Sequence, residues 1–178
     1  MIEFTPGHEI YPGLFLGPVQ TIYDEIKWLS ENDIKNVISV LDMPEVGLLY
    51  GNLNYCNAPL ELLKFRKRSV NDSDGWNYTV NQLFYNMDDY GKDENGQFIF
   101  PDVLNECITY IDVCLKLQEK VYIHCYAGRN RSAIIVAVFI SKIYKISLEH
   151  AINYVKFIRI EIDPIKELID AAAKYINI

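Results

Sequence analysis

Positive charge is scarce in this chain of 178 residues: 17 lysines and arginines stand against 24 aspartates and glutamates, a net charge of −7. A nucleic-acid surface needs a basic face to neutralise phosphates, so no nucleic-acid partner is expected, and attraction to an anionic membrane is disfavoured for the same reason. Histidine is scarcer still. The three present are scattered at His8, His124 and His150, which argues against a histidine-rich metal site. No metal and no cofactor are expected. Four cysteines do not make a disulfide framework in a chain of this length, and at least one is expected to work as a free thiolate, which implies a reducing compartment. Cys107 and Cys114 lie a helical heptad apart in an apolar-striped segment, the pattern of core packing. No apolar run approaches the roughly 18 residues of a membrane span, Met1-Ile2-Glu3-Phe4 lacks the charged and apolar regions of a leader, and no prenylation box is seen, so neither leader nor lipid anchor is expected. A soluble protein of the cytoplasm, or of the nucleus, is the expectation; the oligomeric state stays open.

Hydrophobic residues make up 50% of the chain. A chain of this size can bury roughly 70% of its unfolded surface, so one core suffices, and with no linker or repeat the whole of 1–178 reads as one domain. Apolar strand-like runs alternate with helical ones, the pattern of an α/β fold with a central, largely parallel sheet flanked by helices. Strands are expected at 14–16, 37–41, 83–87 and 120–124, with 14–16 as the first. A helix capped by Thr21 with Asp24 runs to about Asn32. Pro101 opens a helix reaching about Gln118, Ser147 caps another, and Pro164 opens the last. From Asp42 to Val80 the pattern weakens into loops around an apolar and basic piece, 60–68, that includes Lys64, Arg66, Lys67 and Arg68.

The most informative stretch runs from Val121 to Ser132. An apolar strand ends at His124-Cys125, and Tyr126-Ala127-Gly128-Arg129-Asn130 leads to Arg131-Ser132 and an apolar helix, 133–144. Such a turn points backbone N–H groups into one concavity, and the helix adds its positive end, so the site is shaped for a tetrahedral dianion. Arg131 can grip two oxygens at once. The same field favours thiolate at Cys125. Gly128 permits the positive φ or close backbone approach of a cradle, and Ser132 brings a hydroxyl near the sulfur.

His-Cys, five residues, Arg, then Ser resembles the signature of the cysteine-dependent protein tyrosine phosphatases. The segment Ile10-Tyr11-Pro12-Gly13-Leu14-Phe15-Leu16-Gly17 is similar to the opening of the small dual-specificity phosphatases. Asp163-Pro164 stands where that family often has a Pro-Asn pair. The resemblance implies that Cys125 attacks phosphorus to give a phosphocysteine, with Arg131 and the loop 126–131 binding the phosphoryl oxygens. Ser132 then helps the thiolate leave, and His124 supports the loop from behind.

The resemblance also implies an aspartate as general acid after the strand that precedes the long helix. In Tyr85-Asn86-Met87-Asp88-Asp89 the matching place falls on Asp89, while Asp88 is its neighbour and Asp93 gives the more usual spacing to the cysteine. Arg129 either contacts a second anionic group or pairs with a nearby acid, and Tyr126 either walls the pocket or packs. Cys56 is a candidate for redox protection of Cys125, or a packed strand cysteine. The implied function is a dual-specificity phosphatase acting on phosphorylated protein substrates. The alternatives are a phosphatase of an inositol lipid or RNA 5′ end, and a phosphate-binding protein without activity.

Overall fold

A computed structural model describes residues 6–24, 26–42, 44–45, 65–71 and 77–176. In chain order the elements are β1 (His8–Tyr11), β2 (Leu14–Pro18), α1 (Gln20–Asp24), α2 (Ile26–Glu31), β3 (Ile34–Leu41), β4 (Phe65–Asn71) and β5 (Asn77–Asn86). There follow α3 (Phe100–Lys116), β6 (Lys120–Cys125), α4 (Arg131–Tyr144), α5 (Leu148–Ile158) and α6 (Lys166–Ile176). The six strands form one sheet in the order β1-β2-β6-β3-β5-β4. The four central strands β2, β6, β3 and β5 are parallel, and β1 and β4 close the edges antiparallel. The α/β fold and the largely parallel sheet read from the sequence are what the structure has.

Strand alternation sorts the core into two layers. Leu14, Leu16, Ile38, Val40, Val121, Ile123 and Cys125 face the layer that holds α3, α4, α5 and α6. Phe15, Val37, Val80 and Tyr122 face the opposite layer, where Ile22, Ile26 and Leu29 from α1 and α2 cover them. Helix α4 is buried along Arg131–Ser141, which is why its sequence is apolar all round. Cys107 and Cys114 are buried in the first layer. The register sets Pro18 beside Cys125 and Ser39 beside His124, while Leu41 pairs with Asn86. The carboxyl ends of four strands therefore meet at one edge, where ligands of open α/β sheets bind.

Several boundaries differ from those expected. The strand at 14–16 is the second, preceded by β1 across a tight turn in which Gly13 takes φ +82°. Thr21 does not cap a helix: the chain already turns at Gln20, and the buried Thr21 hydroxyl donates to the carbonyl of Pro6. The described helix, Gln20–Asp24 and Ile26–Glu31, otherwise fills the span expected to be helical. The strand expected at 83–87 begins earlier, at Asn77, and pairs with β4 in a stretch expected to be mostly loop. The last helix starts at Lys166, past Pro164. Residues 46–64, with Cys56 and Lys64, lie outside the described residues.

Candidate active site

Strand β6 delivers Cys125 to the edge of the sheet, where it is 2% exposed. The loop that follows is held by its carbonyls. Tyr126 O accepts from Val19 N at 3.0 Å, Arg129 O from Asp163 N at 2.9 Å and Asn130 O from Ile134 N at 3.0 Å. Between them, Ala127 O and Gly128 O accept from Nη2 and Nε of Arg159 at 3.4 and 3.2 Å. With five consecutive carbonyls bonded to groups outside the loop, its amides are left to the concave side. Gly128 takes φ +65°, and a Cβ there would run into the Gly17 carbonyl of β2. Arg159 is 4% exposed, and its Nη1 donates to His8 Nδ1 at 3.1 Å, which ties the clamp to β1.

The sulfur has donors around it. The Ser132 hydroxyl lies 3.2 Å from Cys125 Sγ. Burial pushes the thiol up. The Arg131 guanidinium, the Ser132 hydroxyl and the backbone N–H groups of Ser132 and Asn130 outweigh burial and bring it below its ordinary value. Arg131 is 1% exposed and is itself gripped: Nη1 and Nη2 donate to the two carboxylate oxygens of Glu45 at 2.8 and 2.7 Å, and Nη1 also donates to Met87 O at 2.9 Å. Its Nε lies 3.0 Å from Asp89 Oδ1. That approach is an ion pair off the N–H direction, so Nε–H is left without a hydrogen-bond acceptor.

The three candidate acids separate by what their oxygens do. Asp88 Oδ1 accepts from Tyr90 N and Lys92 N, and Asp93 Oδ1 from Asn95 N and Gln97 N, both closing turns. Asp89 instead lines a cavity of about 420 Å³ together with Cys125 and Arg131. Asn130 Nδ2 holds it at its carbonyl and at Oδ1, at 3.0 and 3.2 Å, while Asn130 Oδ1 accepts from Ile165 N at 3.0 Å. Tyr126 and Arg129 stand on the rim, and Tyr126 is 47% exposed. Arg129 is about half exposed there: Nε donates to the backbone carbonyl of Glu161 at 2.8 Å, with Nη2 4.0 Å from Asp163.

His124 points to the other face of the sheet from Cys125. Gln82 Nε2 donates to Ser39 Oγ at 2.7 Å, Ser39 Oγ lies 2.7 Å from His124 Nε2, and His124 Nδ1 lies 3.2 Å from Cys125 O. A carbonyl only accepts, so Nδ1 is the donor of the contact to the cysteine's own carbonyl.

Glu45, Arg159, Ser39 and Gln82 escape the sequence reading. Glu45 falls where the pattern is weakest. Arg159 follows a helix as an ordinary cation, and only the strand register reveals Ser39 and Gln82.

Cysteine, arginine and aspartate thus face one cavity at the carboxyl edge of the sheet, and a family model described as the dual specificity phosphatase catalytic domain matches residues 14–176. The chain belongs to the dual specificity phosphatase family. Within the family, it is 32% identical to dual specificity protein phosphatase 1 of Arabidopsis thaliana over 65 residues, 36% of this chain and 31% of that protein, so the match spans under a third of the relative. Two solved structures share the fold. One is human tyrosine phosphatase-like serine/threonine/tyrosine-interacting protein, at 21% identity and TM-score 0.71, covering 95% of this chain and 94% of that chain. The other is PTPMT1 in complex with PI(5)P, at 21% identity and TM-score 0.67, covering 97% and 96%. Among the described residues, no helix is long and apolar enough to cross a membrane.

Proposed function

We propose that this dual specificity phosphatase domain is one catalytic unit, 1–178, that hydrolyses phosphotyrosine and phosphoserine or phosphothreonine in proteins without a metal ion. The observation that carries this reading is a thiol below its ordinary value beneath the unspent Nε–H of Arg131, with the Asp89 carboxyl across the same cavity. The thiolate of Cys125 attacks phosphorus, the bond to the substrate oxygen breaks, and Asp89 gives that oxygen a proton. The equatorial oxygens develop their charge against Arg131 and the loop amides. Asp89, now ionised, takes a proton from water as its oxygen attacks phosphorus, and the sulfur leaves as thiolate, met by the Ser132 hydroxyl. A nucleophile of this kind works only when reduced, which supports a reducing compartment, cytoplasm or nucleus, in this reading.

Protein substrates are favoured over an inositol lipid by the net charge of −7, which opposes an anionic bilayer, and by the rim cation Arg129 bonding the Glu161 carbonyl and standing near Asp163. Side-by-side turnover of a phosphotyrosine peptide, a phosphothreonine peptide and an inositol lipid in EDTA tests the reading. Release of phosphate from both peptides is expected. Loss of activity on chelation, or turnover of the lipid alone, would reject it.

A further inference from the structure

A second concavity shares a wall with the phosphate cavity. A groove of about 610 Å³ runs between the loop 90–98 and α6, lined by Tyr90, Phe98, Pro101, Ala171, Lys174 and Tyr175. Tyr90 also lines the cavity of Cys125, so the two spaces meet over one ring, which is 59% exposed. Phe98 is 44% exposed. Both walls are fixed. Gly91, at φ +82°, brings the loop onto Phe98, Phe100 and Leu168 of α6 so closely that an added Cβ would lie 2.8 to 3.0 Å from them. Ile99 N and Phe100 N donate to Gly91 O. On α6, Tyr175 donates to Asn105 at 3.0 Å and carries the Lys142 ammonium over its ring. Phosphoryl transfer uses none of these groove residues.

We propose that this groove receives the polypeptide flanking the phosphorylated residue and takes one large apolar side chain from it. The proposal rests on the reading of the neighbouring cavity as a phosphate site. A phosphoryl group on Cys125 leaves its carrier chain at the rim, and Tyr90 is where the rim becomes the groove. The walls offer rings and aliphatic area, which reward apolar burial. Charges of both signs border the opening, Lys92 and Lys174 with Glu167 and Asp170, and Lys142 lies over the Tyr175 ring, so the apolar area between them is what the groove offers for burial. The net charge of −7 opposes an anionic bilayer, and a bare headgroup has nothing apolar to bury.

The test is equilibrium binding to the Cys125→Ser protein, so that turnover plays no part. Two phosphotyrosine peptides are compared, one flanked by leucines and one by glycine and serine, with vanadate as the bare oxyanion. The leucine-flanked peptide is expected to bind about tenfold tighter, the effect of burying one large apolar side chain. Ala171→Trp, which fills the groove, should erase that preference and leave vanadate affinity unchanged. Phe98→Ser should weaken it from the opposite wall, and serves alone if the tryptophan variant does not fold. Equal binding of the two peptides with vanadate still bound, or a preference that survives the substitutions, would overturn the groove assignment. So would groove-dependent capture of phosphatidylcholine vesicles containing phosphatidylinositol phosphate. Failure of vanadate and both peptides alike to bind would overturn the phosphate site and the groove together.

Discussion

At Cys125, desolvation and charge oppose each other, and the charge of Arg131 with the donors of Ser132 and Asn130 wins. The thiolate is therefore the form the fold favours. Its contribution to stability is fully present above the ordinary thiol value of about 8.5 and is lost as pH falls through the lower folded value. Alkylation by iodoacetamide should show a midpoint below the ordinary thiol, and phosphatase activity should fall on the acid side as the sulfur takes a proton. Ser132→Ala should move that midpoint upward; an unchanged midpoint would remove the hydroxyl from the account. Asp89 is tested by leaving group. Asp89→Asn should slow dephosphorylation of phosphoserine by about 10²- to 10⁴-fold and affect an activated aryl phosphate much less. The same pattern in Asp88→Asn or Asp93→Asn instead would reassign the acid. Sequence placed Asp88, Asp89 and Asp93 within one short stretch but left the choice to strand register, because what separates them is side-chain direction. Two of them turn inward to cap their own loop, and no spacing rule records that.

At the scale of elements, the loop keeps its shape through what its carbonyls bond, and Arg159 supplies two of those bonds. Replacing it leaves carbonyls buried without partners, at about 1–3 kcal/mol each. Arg159→Met should therefore lower both the melting temperature and vanadate affinity, while Arg159→Lys should restore part of the stability. If vanadate binding is untouched, the clamp is structural only. The signature loop was legible from sequence because its chemistry is local: a strand, a glycine at positive φ and a helix start carry it. The β4 and β5 pairing was not. The start of β5, Asn77 to Gln82, is rich in polar residues, and β4 carries Arg-Lys-Arg, a composition that suits an exposed edge and hides a strand from a hydrophobic pattern. Glu45 fell in a stretch with no periodicity to place it.

For the whole molecule, the parallel sheet gathers at one edge groups far apart in the chain: Pro18, Leu41 with Glu45, Asn86 with Asp89, and Cys125. The grip of Glu45 on Arg131 shows this dependence, since the arginine's orientation is set by an acid 86 positions away. The central claim is that the phosphoryl group passes through the sulfur of Cys125. Rapid acid quenching during turnover of a phosphotyrosine peptide, followed by mass mapping of the protein, reads this directly. One phosphoryl group on the peptide containing Cys125, absent in Cys125→Ser and absent without substrate, is the expected result. Steady release of phosphate with that peptide unmodified at every quench time, or undiminished turnover by Cys125→Ser, would contradict it.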